Sequence, residues 1–457
     1  MTTAKTINQW LCTASAMAES LDDLPGFLDF LDTMNREALA GLLDAGCGEA
    51  YGQALLVKIS NLLLGKYHYR CRHDFLLSSP FGLIVDPANG CPLHCPGCLH
   101  NRAFQNKVHP DWPAGLLEMD RFRCFLREYG PYASVMLFFN WGEPLLNKNT
   151  PTFVQMAKSY MLRTSISSNL SVEFDAEALV LSGLDHLTLS IDGAGPDTYG
   201  RYRRGGDFKL VLDNVRKLAA AKKKHDMGTP ILSWQFLLFE HNKHEKEAAK
   251  KLAHDLGVNE VRFCLPYDVP WDGDLEVARD VVPEVYTVLS DPESVAVQER
   301  RMVNNLSPDF QEIFRSGWSG RLAANSDGTL PPRTGKTCKW LYSIMVMDAL
   351  GRILPCCYAP RRDSGLNYVF SPESQGTFNG EYYRYSRHHF VETSEICRDG
   401  GSVPRLPDRQ RAPYCVACQE KFGQPLINHQ HLKFYFTRIG TMAGLSQESI
   451  QKIAEWE

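Results

Sequence analysis

From Phe81 onward the chain alternates six short strand-like runs with helix-like stretches, and this alternation limits the possible folds more than any other feature. The runs are FGLIVD, SVMLFFN, TSISSN, HLTLSID, PILSWQFLLF and EVRFC, separated by EMDRFRCFLREYG, PTFVQMAKSYM, DAEALVLSG, FKLVLDNVRKLAAAKKK and KHEKEAAKKLAHDLG. Each connection is long enough for a crossover, which implies a parallel sheet in an α/β fold. Such sheets bind ligands beyond the carboxyl ends of their strands. A cysteine loop follows the first strand, NWGEP the second, SSN closes the third and SIDG the fourth, so all four point into one mouth.

The cysteine loop carries the chemistry. Cys91, Cys95 and Cys98 lie in GCPLHCPGCLH with the spacing C-x3-C-x2-C. Three thiolates so close together can hold an iron–sulfur cluster by three corners and leave the fourth iron open. Structural zinc is the competing reading, because His94 or His100 would complete a tetrahedral set. Disulfides fit less well, since MTTAKTINQW has no apolar segment of secretory type and the thiols are expected to stay reduced in a cytoplasmic setting.

Together with NWGEP, SIDGA and YRRGGDF, this loop resembles the radical S-adenosylmethionine (SAM) enzymes, over roughly Phe81 to Asp268. The resemblance implies a partial (β/α)6 barrel holding a [4Fe–4S] cluster that binds SAM and cleaves it to a 5′-deoxyadenosyl radical. It also implies roles for individual residues. Glu143 would hold the ammonium of SAM, and Gly142 would let backbone approach the ligand. Asn140, Ser190 and Arg203 would serve the methionyl carboxylate, with Arg204 as the alternative in the next register, and Asn169 would lie near the ribose. Two positions depart from the family pattern: Gly97 stands where an aromatic residue usually precedes the third cysteine, and Trp141 stands where a glycine is usual.

A second cysteine set begins at Cys338, with Gly351, Cys356 and the pair Cys415 and Cys418. Its C-x12-G-x4-C pattern resembles the start of the auxiliary-cluster domains called SPASM or twitch. This implies one auxiliary [4Fe–4S] cluster on Cys338, Cys356, Cys415 and Cys418. Cys357 and Cys397 remain alternative ligands, and zinc remains an alternative metal. Cys12, Cys47, Cys71, Cys124 and Cys264 read as ordinary buried thiols.

The chain divides on this reading into a helical N-terminal extension (1–80), the barrel (81–270), a linker region (271–337), the auxiliary-cluster domain (338–425) and a helical tail (426–457). At 457 residues, 44% hydrophobic and with a formal charge of −4, it has material for a sizeable core and lacks the basic balance of a nucleic-acid binder. The run Lys222, Lys223 and Lys224 reads as the solvated end of a helix, and no apolar run suggests membrane insertion.

The resulting expectation is an oxidoreductase-like radical SAM enzyme acting on a small molecule, with flavodoxin or ferredoxin as electron donor. The alternatives are modification of a ribosomally made peptide or protein side chain and, more distantly, a zinc-stabilised scaffold. Asp192, Gln235, Asp268 and His241 are cavity candidates without an assigned role, and Arg405, Arg409 and Arg411 read as charges of a Pro-rich loop.

Overall fold

The computed structural model describes residues 13–14, 16–18, 20, 23–44, 46, 48–101, 113–266, 275–289, 309–324, 337–356, 377–380, 382–384 and 386–388. All six expected strands form: β1 (Gly82–Val85), β2 (Val135–Leu137), β3 (Arg163–Ser168), β4 (His186–Ser190), β5 (Ile231–Leu237) and β6 (Glu260–Cys264). They run parallel in sequence order as an open sheet, a partial (β/α)6 barrel.

Further strands extend both edges. On the far side β7 (Glu284–Thr287) pairs antiparallel with β6, and on the near side β8 (Ile344–Met347) runs parallel to β1 and turns into β9 (Ile353–Leu354). Residues 271–337, expected as a linker, thus supply an edge strand and two helices, α9 (Asp309–Ser316) and α10 (Ser319–Ala324). The turn between β8 and β9 explains Gly351. Its φ of +77° lies in the left-handed region open to glycine, and a Cβ there would collide with Arg121 Cδ.

Two N-terminal helices, α1 (Leu24–Asp44) and α2 (Glu49–Cys71), precede the barrel. A helix buried all round is expected to be apolar all round, yet α2 buries Lys58, Ser60, Asn61, Lys66 and His68. Buried polar groups of this kind need partners. Lys58 Nζ donates to Gly130 O at 3.0 Å and to Ala133 O, Asn61 bridges Ser79 and the Tyr132 carbonyl, and Ser60 Oγ donates to Asn35 Oδ1 at 3.0 Å. Asp32 of α1 accepts from the amides of Trp318 and Ser319 at 2.7 and 2.9 Å, which fixes the start of α10. One hydrophobic core therefore runs from α1 and α2 through the sheet to β8 and β9.

The helices that cover the sheet are α3 (Met119–Tyr129), α4 (Thr150–Lys158), α5 (Ala176–Leu181), α6 (Pro196–Tyr202), α7 (Phe208–Lys224) and α8 (Lys246–Asp255). At the base of the barrel Asp185 accepts from Lys158 Nζ at 2.6 Å and Thr164 N at 2.7 Å. Burial works to raise its pKa, and the lysine, Arg163 and the hydrogen bonds outweigh it, leaving the carboxyl below its ordinary value. No described helix is long and apolar enough to cross a membrane.

Candidate functional site

The three cysteines sit where β1 ends, in one small cluster with Leu93, Tyr202, Phe239 and Leu275. Their loop is held from two sides. His94 N donates to Arg204 O at 2.9 Å, and His100 Nε2 lies 2.8 Å from Trp141 O. Both histidines thus serve the backbone in this arrangement, since His94 Nδ1 is 3.2 Å from His100 O. Among the described residues, no three His, Cys, Asp or Glu side chains form a group able to hold a metal ion. Gly97 has φ +71°, which a bulky side chain would strain, so glycine in place of the usual aromatic matches this turn.

NWGEP packs directly on that loop. A Cβ on Gly142 would run into the Ala88 carbonyl oxygen, so glycine is required here by the backbone of the cysteine loop itself. Glu143 N donates to Gly90 O at 2.7 Å, and Trp141 N donates to Asp86 Oδ1 at 3.1 Å. Glu143 is 1% exposed. Its Oε1 accepts from Leu145 N at 3.0 Å and Ser168 Oγ at 2.8 Å, and its Oε2 from Asn169 N at 2.9 Å. Burial raises its pKa against those three donors and the pull of Arg203.

The remaining expected site residues converge on the same mouth. Asn169 Nδ2 lies 3.3 Å from Cys91 Sγ, so this side chain faces the cysteine loop. Ser190 Oγ is 3.3 Å from Ser167 Oγ. Arg203 Nε donates to Asp192 Oδ2 at 2.5 Å, and Asp192 Oδ1 accepts from Leu237 N at 2.6 Å. Burial works against the guanidinium charge, and Asp192 with Cys95 more than offsets it, holding the proton firmly. Arg204 contributes its carbonyl to His94. Asn140 Nδ2 is buried with no hydrogen-bond partner.

Sequence alone passes over Asp86 and leaves Asp192 a cavity candidate without a role, and both organise the mouth. The signal that could have found them is position: each is the acidic residue ending a strand-like run, in FGLIVD and HLTLSID. His241 stacks on Phe239 with ring centroids 5.6 Å apart, and its Nε2 is buried without a partner. Cys338 and Cys356 flank β8 and β9, whereas Cys415, Cys418, Cys357, Cys397, Asp268 and the three arginines lie outside the described residues.

The three thiols share one loop and one apolar cluster at the end of β1, the placement a cluster held by three corners needs, without being drawn together around a single ion. Burial first, then Glu143 and the neighbouring thiols, push Cys91 to about 12, and burial pushes Cys95 to about 11 against the pull of Arg203. Thiols so disfavoured as bare anions suit a cluster that takes up their charge. Asn140, in NWGEP, offers an unused buried donor.

Residues 85–252 match the family model described as the radical SAM superfamily. This chain carries a radical SAM domain. Membership of that superfamily implies an iron–sulfur enzyme with a [4Fe–4S] cluster and SAM. Curated relatives include several named PqqA peptide cyclase. The PqqA peptide cyclase of Granulibacter bethesdensis (strain ATCC BAA-1260 / CGDNIH1) is 23% identical over 259 residues, 54% of this chain and 65% of that protein. The PqqA peptide cyclase of Ruegeria pomeroyi (strain ATCC 700808 / DSM 15171 / DSS-3) is 24% identical over 271 residues, 57% of this chain and 69% of that one. The chain thus spans about two thirds of the length of these relatives. Among solved structures, Streptococcus suis SuiB bound to the precursor peptide SuiA aligns with a TM-score of 0.43 at 12% identity, over 71% of this chain and 70% of that chain. BtrN in complex with AdoMet and 2-DOIA aligns with a TM-score of 0.36 at 14% identity, over 70% of this chain and 90% of that chain.

Proposed function

We propose that this chain is a peptide-modifying radical SAM enzyme. The curated relatives named PqqA peptide cyclase carry this reading. They favour the alternative of peptide modification over the small-molecule substrate expected from sequence.

When bound, the cluster and SAM supply a 5′-deoxyadenosyl radical that removes a hydrogen atom from the substrate. Cys91, Cys95 and Cys98 would hold the cluster, and Asn140, Ser190 and Arg203 the polar end of SAM. Asp192 keeps Arg203 charged and aimed at the cysteine loop through the 2.5 Å pair. Glu143, with three protein donors already on its carboxylate, braces the NWGEP turn against Ser168 and Asn169 as well as facing the ligand. The apolar wall of Leu93, Tyr202 and Phe239 excludes water from the cysteines. Cys338, Cys356, Cys415 and Cys418 would hold an auxiliary cluster, a one-electron acceptor for a net oxidation, with flavodoxin or ferredoxin as the external donor.

The test is anaerobic reconstitution with iron and sulfide counting, followed by reduction in the presence of SAM and short synthetic peptides. A peptide that raises 5′-deoxyadenosine output and itself changes mass supports the reading. An amino sugar or alcohol doing so instead restores the small-molecule substrate, and a colourless zinc protein yielding none removes the enzyme reading altogether.

A further inference from the structure

One face of β5 and β6 carries a row of partly open side chains that the SAM site does not use. Along β5 the exposure alternates so that Gln235 and Leu237 are partly open while Trp234 and Phe236 are buried, and along β6 Glu260, Arg262 and Cys264 are open while Val261 and Phe263 are buried. The strand register sets Ser190 beside Gln235, Gln235 beside Arg262, and Arg262 beside Val285 of β7. One row thus leads from the mouth to the sheet edge. At the usual strand spacing, Ser190 and Arg262 are about 10 Å apart.

Arg262 makes no side-chain hydrogen bond or ion pair among the described residues, and neither does the Gln235 amide. Among the described residues, Asp192 is engaged by Arg203 and Leu237 N, and Glu260 by Ser233 Oγ at 2.6 Å. A half-sheltered guanidinium with no carboxylate partner among the described residues has charge to offer. Resting on the peptide reading above, we infer that Arg262, with Gln235 as a second donor, binds a carboxylate of the substrate and orients it toward the cysteine mouth. The exposed Val285 side chain, 61% accessible, flanks that subsite on its outer side.

The test uses the full chain, reconstituted anaerobically and loaded with SAM. Random short-peptide pools containing one fixed Glu or one fixed Gln, each with a free or an amidated C-terminus, are incubated with it, and retained peptides are measured by mass spectrometry. The unaltered chain retains carboxylate-bearing pools over the neutral one by about tenfold to a hundredfold. The amidated Glu pool and the free-ended Gln pool tell an acidic side chain from a terminal carboxylate. Arg262→Gln abolishes the preference, and Arg262→Lys restores part of it. Val285→Glu, a surface change that sets a carboxylate beside Arg262, abolishes it by occupying the guanidinium. Equal retention of charged and neutral pools by the unaltered chain, or an undiminished preference in Arg262→Gln, overturns the inference. If no pool is retained, calorimetry with N-acetylglutamate separates the two ideas: Arg262-dependent binding keeps the subsite and removes the peptide reading, and no binding overturns the subsite.

Discussion

Arg203 and Asp192 form a buried pair, with Nε 2.5 Å from Oδ2 and the carboxylate wholly inaccessible, directly behind the cysteine loop. Removing one member leaves the other as an unpaired buried charge. Asp192→Leu should lower stability by about 3–5 kcal/mol in denaturant unfolding. It should also reduce iron retained per chain after reconstitution, because Arg203 then no longer holds its place against Cys95. Asp192→Asn, which keeps a hydrogen-bond acceptor, should lose less of both.

The two cysteine sets should separate in an iron count. Cys95→Ala should abolish 5′-deoxyadenosine formation while an auxiliary cluster persists. Cys356→Ala should lower iron by about half, given two clusters of equal size, and spare reductive SAM cleavage. Equal loss of cleavage in both variants would contradict separate roles.

Gly142 has no room for a methyl group, since its Cβ would overlap the Ala88 carbonyl oxygen. Gly142→Ala should destabilise the fold by about 3 kcal/mol or more, and should impair cluster uptake together with SAM binding. Gly200→Ala, inside α6 where an added Cβ would meet no atom within 4 Å, is the matched control and should leave the melting temperature unlowered, raising it slightly through helix propensity.

His68 sets a pH dependence of stability. Its Nε2 accepts from Leu77 N at 3.0 Å and its Nδ1 lies 2.8 Å from His73 Nδ1, so the neutral ring fills the site. Burial, then His73 and Arg387, hold its pKa well below the usual 6.5. The unfolded chain therefore binds a proton that the folded chain refuses. Stability should be fully present above about pH 6.5 and decline below it, by up to about 1.4 kcal/mol per pH unit for this one group. In His68→Gln, urea unfolding measured across that range should show a shallower slope.

Much of this molecule can be read from its residues, and the gaps have physical causes. The six parallel strands are legible because each is a short apolar run set off by a helix-length connection, and the cysteine loop because its spacing admits few uses. β7 is hidden because EVYT is an edge strand with little to bury, and β8 because IMVM lies inside LYSIMVMDALG with no flanking turn signal before it. The helical character of α2 is visible, whereas its complete burial is not: Lys58 finds its carbonyl partners more than seventy residues away, and His68 meets its own only beyond the end of the helix. The same holds for Asp192: its pairing with Arg203 spans a helix, and no local pattern announces it. Gly142 stands out within NWGEP, and only the structure identifies Ala88 as the contact that demands it.

The parallel bonding of β8 to β1 has a consequence for dissecting this protein. β1 leads straight into the cysteine loop, and the strand that shields its outer flank comes from more than two hundred and fifty residues later. A fragment ending near residue 270 would bare that flank along its whole length, inviting other chains to dock there. Truncations meant to isolate the barrel should therefore retain the segment through Leu354, or they will yield aggregates whose failure to assemble iron says nothing about the cysteines.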